Sequence, residues 1–311
     1  MAEVIDIRRF EASAFASVLE AEGQAWNDEL HWDFGPAAHV ITNCLADQRL
    51  SGYALVSGGR IEGYSFFLCE GGKGLIGDFF VRGISTPRPD VIRLLNHVLE
   101  TLLATPGVSR VEAQLPHAVA HEVEPCFREY GFKSFARRFM ICRLQPLIGP
   151  FPADEFVIEP WDRKHDRAAA EFIYHTYRGH IDAVINDQYA SVEGAQRLID
   201  NVFDLRGCGE PVLPASLLAV QRATQKLAGL LALTAVRPAT AHIPQVAVGA
   251  EFQSRGLGTA LLDLAFREAA HQGYQEVSLT VTDLNHGAMR LYERLGFQTL
   301  RTFGAFVWNQ E

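Results

Sequence analysis

The stretch Val246–Thr259, V-A-V-G-A-E-F-Q-S-R-G-L-G-T, constrains this chain more than any other. A run of β-type residues ends at Val248, a glycine-bearing turn follows, and helix-patterned residues begin at Thr259. The spacing predicts a strand that passes through a tight loop into a helix N-terminus. The first N–H groups of a helix have no internal partner, and the helix dipole adds partial positive charge there. Gly256 and Gly258 carry no Cβ, so an anion can approach the backbone, and Arg255 adds a full charge. This combination points to a pyrophosphate site.

The spacing narrows the choice of turn. No Lys follows Gly258, as a Walker loop requires, and Leu261 stands where a dinucleotide fingerprint has its third glycine. What remains is Q-x-x-G-x-G at Gln253, Gly256 and Gly258. Further on, Gly273 sits where a helix C-cap belongs, and Glu276–Thr282 alternates like a strand. Asn285 then opens N-x-x-A-x-x-L-Y-E-R-L-G-F, which ends at Phe297.

Together these two motifs, in this order and with one helix and one strand between them, resemble the GNAT superfamily of N-acetyltransferases. The likeness is strong from about Phe156 onward and weak in the first half. The chain departs from the family at Ala250, where a proline is common. That loss loosens the turn without removing the phosphate site.

The resemblance implies an α+β fold, with a mixed, mostly antiparallel, splayed central sheet flanked by helices. It implies acetyl-CoA as cosubstrate and no metal. Val246, Ala247 and Val248 would lie along the pantetheine arm. Gln253, Ser254, Arg255, Gly256, Leu257, Gly258 and Thr259 would hold the pyrophosphate, with Asn285 nearby. Tyr292 takes the position of the acid that protonates the departing thiolate, a role that suits a phenol at neutral pH. Packing in the stripe of Ala288, Leu291 and Leu295 is the plainer reading of the same residue.

The general base is less defined. His242 lies on the strand before the turn and shares a face with Val246 and Val248 if no bulge intervenes. A buried, hydrogen-bonded histidine is the competing reading, and a water relay or Asp283 are alternatives. Tyr174, Tyr177, His180, Asp182, Asn186, Asp187 and Tyr189 crowd the connection after the first helix of this half. Of these, Tyr177, His180 and Asp182 are the candidate contacts to a small-molecule or peptide amine. A solvated helix face explains such residues equally well.

The two halves read as one plan written twice, which fits two domains in 311 residues. Gln145–Glu155, rich in proline, divides them. We expect a domain over 1–145, a linker over 146–155 and a catalytic domain over 156–311. Setting Gly131 against Gly296 (296 − 131 = 165) puts Phe127 opposite Tyr292 and Ala120 opposite Asn285. Where the second half has Gln253–Thr259, the first has R-G-I-S-T-P-R-P from Arg82. Prolines donate no N–H, so the first domain reads as a degenerate copy without the phosphate loop. Trp26, Trp32 and Phe34 wall a vestigial pocket there or serve a domain or homodimer contact.

A formal charge of −9 argues against a general partner for nucleic acid or anionic membrane. Five cysteines without a C-x-x-C pair suit reduced thiols and a cytoplasmic setting. The charged first residues leave no signal-peptide core, and Leu227–Val236 is too short to span a bilayer. The expected activity is direct acetyl transfer to a primary amine in a ternary complex. A different acyl donor, or an acyl-CoA sensor without chemistry, are the alternatives.

Overall fold

The structure, a computed structural model, describes residues 2–83, 89–118, 120–145 and 154–310. Two compact units divide the chain: Met1–Arg137 with Arg301–Glu311, and Arg138–Leu300. The expected boundary at the linker follows chain order, whereas the units differ from it at both ends. Residues 146–153 of that linker, and 84–88 of the first half's counterpart to the phosphate turn, lie outside the described residues.

The first unit runs β1 (Glu3–Asp6), α1 (Ala16–Leu30), α2 (Gly35–Ala46), β2 (Ser51–Ser57), β3 (Arg60–Glu70), β4 (Lys73–Val81), α3 (Pro89–Ala104), β5 (Arg110–Leu115) and α4 (Ala120–Glu129), then enters β6 (Lys133–Arg143). Gly58 and Gly59, both at positive φ, make the β2–β3 turn. The strand order is β1-β2-β3-β4-β5, antiparallel except for the parallel pair β4–β5. Leucines and valines at helical spacing in α3 (Val91, Leu94, Leu95, Val98, Leu99, Leu102) bury one side of that helix in the core.

The second unit repeats this plan with β7 (Phe156–Pro160), α5 (Asp166–Tyr177), α6 (Ile181–Ile185), α7 (Val192–Phe203), β8 (Glu210–Pro211), β9 (Leu217–Gln221), β10 (Leu227–Arg237), β11 (Thr240–Val248), α8 (Leu257–His271), β12 (Glu276–Thr282) and α9 (His286–Arg294). The last strand, β13 (Gln298–Asn309), follows. The order β7-β9-β10-β11-β12 matches that of the first unit, again with a single parallel pair, β11–β12. Helix α8 packs on one face of this sheet through Leu257, Leu261, Leu262, Ala265 and Phe266. Helices α5 and α7 cover the other through Ala169, Ile173, Ile199 and Val202. The fold class is the α+β arrangement read from the sequence.

Each unit finishes its sheet with a strand from the other half of the chain. β13 pairs with β5 from Gly304–Leu115 to Asn309–Arg110. β6 passes into the second unit and lies beside β12. Hydrophobic alternation tells a strand which face to bury but not which neighbour to join. The exchange is therefore invisible in either half alone.

Among the described residues no helix is long and apolar enough to cross a membrane. No group of three or more metal-ligating side chains is gathered among them either.

Candidate active site

The second unit holds a cleft of about 620 Å³ at the C-terminal end of β11. The parallel ladder between β11 and β12 runs from Thr240–Glu276 to Ile243–Leu279 and stops there, although both strands continue. They part around the residues that follow, and Val246, Ala247 and Val248 line the opening. On its other side β11 stays paired to β10 as far as Val248. Such a gap exposes one strand edge to an extended ligand, as a missing strand would.

The turn beneath the gap is built for close approach. Ser254 and Gly256 adopt left-handed backbone, φ 61° and 84°. Gly256 is the N-cap of α8, and no side chain caps the helix. The first-turn N–H groups are therefore left without a side-chain cap for an anion to use. A Cβ built on Gly258 would stand 3.7 Å from Val248 and 3.8 Å from Leu291, which is ordinary contact. It is therefore Gly256, through its φ, where the backbone demands glycine.

Gln253, Ser254, Gly256, Gly258 and Thr259 all line the cleft. Gln253 also ties the turn to the strand, its Nε2 donating to Val248 O at 3.2 Å. Two other turn residues point their side chains elsewhere. Arg255 pairs with Glu155 at 2.8 Å, and Leu257 is buried in the core, so only its backbone is available to a ligand.

Tyr292 and Asn285 come from α9 and line the opposite wall. Asn285 caps that helix, its side chain accepting from Ala288 N at 3.2 Å. Tyr292 is only 7% exposed and packs against Phe297, ring centroids 5.5 Å apart. Burial, helped by Tyr177 and Asp182, holds its phenol well above the usual tyrosine range, so it keeps its proton at any physiological pH.

The condition placed on His242 is not met. The β10–β11 register jumps between Ala232–Gln245 and Thr234–His242, so β11 carries an extra residue there. The bulge reverses the alternation. His242 shares a face with Gln245 and Ala247, opposite Val246 and Val248. Its Nδ1 lies 2.9 Å from Ser278 Oγ and its ring stacks on Phe139 at 5.8 Å. It is not among the residues that line the cleft. Asp283, the alternative base, is held in an ion pair by Arg138 at 2.6 Å.

Tyr177 and His180 also line the cleft, together with Thr176. Asp182 sits just behind them, accepting from Thr282 Oγ1 at 2.5 Å. Its backbone N–H donates to His180 Nδ1 at 3.1 Å. Gln245, Thr282 and Arg294 were not singled out from the sequence. A glutamine on the buried side of an apolar strand is the one signal that could have flagged Gln245.

Residues 186–297 match the family described as Acetyltransferase (GNAT) family. The chain is 41% identical over 58 residues to an uncharacterized N-acetyltransferase of Methanocaldococcus jannaschii; this is 19% of the present chain and spans about a quarter of that relative's length, 26%. Its fold is similar to that of a GCN5-related N-acetyltransferase from Sphaerobacter thermophilus, with TM-score 0.67, 18% identity, and coverage of 99% of this chain and 95% of that one. It is also similar to a tandem GNAT protein from the clavulanic acid biosynthesis pathway, with TM-score 0.64, 18% identity, and coverage of 99% and 98%.

Proposed function

Because residues 186–297 match the GNAT acetyltransferase family, we propose that the second half of the chain is an acetyl-CoA-dependent N-acetyltransferase acting on a primary amine. The observation that carries this reading is the opening of β11 from β12 directly above an uncapped helix N-terminus. An elongated thioester substrate with an anionic end needs those two features side by side.

In this reading the first-turn N–H groups of α8 and the Gln253–Thr259 turn bind the pyrophosphate. The edge of Val246–Val248 pairs with the amides of the arm, and Asn285 borders its path. The acceptor enters past Tyr177 and His180, with the Asp182 carboxylate behind them favouring a cation. The amine nitrogen bonds to the acetyl carbon, the carbon–sulfur bond breaks, and the amine gives up one proton. Tyr292 donates its proton to the departing thiolate and is reprotonated through solvent, which takes up the proton the amine releases. Burial keeps this phenol protonated and so able to donate, while making it a weaker acid than a free tyrosine.

His242 gains no support as the base, since it is not among the residues that line the cleft and its Nδ1 is engaged with Ser278. We therefore propose that the amine is bound in its neutral form or loses its proton to solvent. The first half, as a degenerate copy, has a structural role.

Thiol release from acetyl-CoA, measured over a panel of polyamines, amino acids, aminoglycosides and peptide N-termini, tests the proposal. Turnover with one amine class supports it. Tight acetyl-CoA binding without turnover favours the sensor, and no acetyl-CoA binding overturns the assignment of the turn.

A further inference from the structure

Gln245 stands on β11 beside Ala247, on the side that packs against α5 and α7. Gln245 is 4% exposed. A buried carboxamide is costly unless both ends are bonded, and a methionine or leucine fills such a space without that cost. Here both ends are used. Tyr189 Oη donates to Gln245 Oε1 at 2.9 Å, and Gln245 Nε2 donates to Tyr177 Oη at 3.0 Å. The two rings lie face to face, centroids 4.1 Å apart and planes 9° apart.

Tyr177 ends α5, and Tyr189 lies just before α7. One amide therefore ties both ends of the intervening segment to β11, while Asp182 in its middle is bonded to Thr282 of β12. Because it accepts from Gln245, the Tyr177 hydroxyl is left to direct its own hydrogen toward Val246 O, 3.5 Å away. That hydrogen is thereby engaged, and Tyr177 differs in this from Tyr292, the other tyrosine of the cleft. His180 packs edge-on against Tyr177 at 5.2 Å and takes its position from it.

We propose that Gln245 is the positioning residue of the acceptor side of the cleft: through Tyr177 and Tyr189 it holds residues 178–188 against β11 and sets the wall that selects the amine. The part concerning the amine rests on the function proposed above. The part concerning the segment does not. A wall fixed by two bonds and a ring stack discriminates by shape, whereas a mobile one accepts more amines, each more weakly.

Gln245→Leu and Tyr189→Phe test this, the second removing one hydroxyl while keeping the stack. The readouts are KM and kcat for the best amine, the acetyl-CoA dissociation constant, and deuterium uptake by peptide. We expect Gln245→Leu to raise the amine KM by roughly 10-fold, the effect of losing about one buried hydrogen bond, while acetyl-CoA affinity stays within about two-fold. Tyr189→Phe should move KM the same way by less, and uptake should rise over 178–188 in both. An unchanged amine KM in folded Gln245→Leu protein, or a loss that falls on acetyl-CoA instead, overturns the positioning role. If the wild-type protein turns over no amine, the functional reading fails by itself. Uptake then decides the clamp: a rise confined to 178–188 supports it, and unchanged uptake in both variants overturns it.

Discussion

Phe127 and Phe306 stack in the first unit with ring centroids 3.8 Å apart and planes 3° apart. Phe127 belongs to α4 of the first half, and Phe306 to the last strand of the chain. Both are buried in the same core. The first unit is thus completed by residues far beyond its own sequence. We predict that Phe306→Ala destabilises the first unit by about 3–5 kcal/mol, the usual cost of emptying a phenylalanine site. Denaturant unfolding followed by hydrogen exchange on peptides of each unit checks this. A loss confined to the second unit would contradict it.

Tyr292→Phe keeps the packing against Phe297 and removes the proton donor. If Tyr292 is the acid, kcat falls by roughly 10²-fold or more while acetyl-CoA affinity is unchanged. Steady-state kinetics with calorimetric binding separates the two terms. Undiminished turnover would leave the enzyme standing and remove Tyr292 from the chemistry.

Gly256 at φ 84° sits where a side chain is strained by about 1 kcal/mol, in the turn proposed to meet the pyrophosphate. Gly256→Ala should weaken acetyl-CoA binding by roughly 10-fold or more, with a smaller effect on the amine, since a side chain at this positive φ strains the turn proposed to hold the pyrophosphate. Equal affinity in the variant, read by calorimetry, would move the phosphate site elsewhere.

In the first unit Tyr64 Oη lies 2.6 Å from Glu22 Oε2 and 3.3 Å from Asp78 Oδ2; Tyr64 and Glu22 are buried and Asp78 is half-buried. Burial and the Asp78 carboxylate hold Glu22 well above its ordinary 4.5, so the pair shares a proton. A carboxyl whose folded pKa is raised binds more protons folded than unfolded. Its contribution is full below the unfolded value of 4.5 and is lost as pH rises through the folded value. Stability of this unit should therefore fall as pH rises above 4.5, and Glu22→Gln should flatten that fall. Unfolding midpoints across that range, wild type against variant, check the sign.

His117 shows the opposite slope. Burial, with Arg301 nearby, lowers its pKa from 6.5 to about 3. The unfolded chain then binds the extra proton first, so stability is full above 6.5 and is lost as pH falls toward about 3. His117→Gln should remove that acid-side loss, seen as a shallower decline in unfolding midpoint between those values.

Much of the site was legible because its chemistry is local. The Gln253–Thr259 turn and the α9 motif each lie within one short stretch, where glycine positions and helical period state the backbone directly. Other features depended on contacts between stretches. The bulge that turned His242 to the other face comes from pairing with β10, and alternation along β11 alone predicts the wrong side. Arg255 reads as a phosphate ligand until Glu155 is seen beside it. Tyr189 stood in a crowd of polar residues with nothing to single it out until Gln245 reached it.

By itself the sequence determined the repeated α+β plan, the strand-to-helix turn and the place of Tyr292, since each follows from period, capping and backbone freedom over a few consecutive residues. Only the tertiary structure decided that β6 and β13 complete the sheet of the other unit, that β11 leaves β12 after Ile243, and that one buried amide joins Tyr177 to Tyr189. Those are choices of partner. Hydrogen-bonding edges and buried amides accept many partners of equal local merit, and which one they meet is settled by the packing of the whole chain.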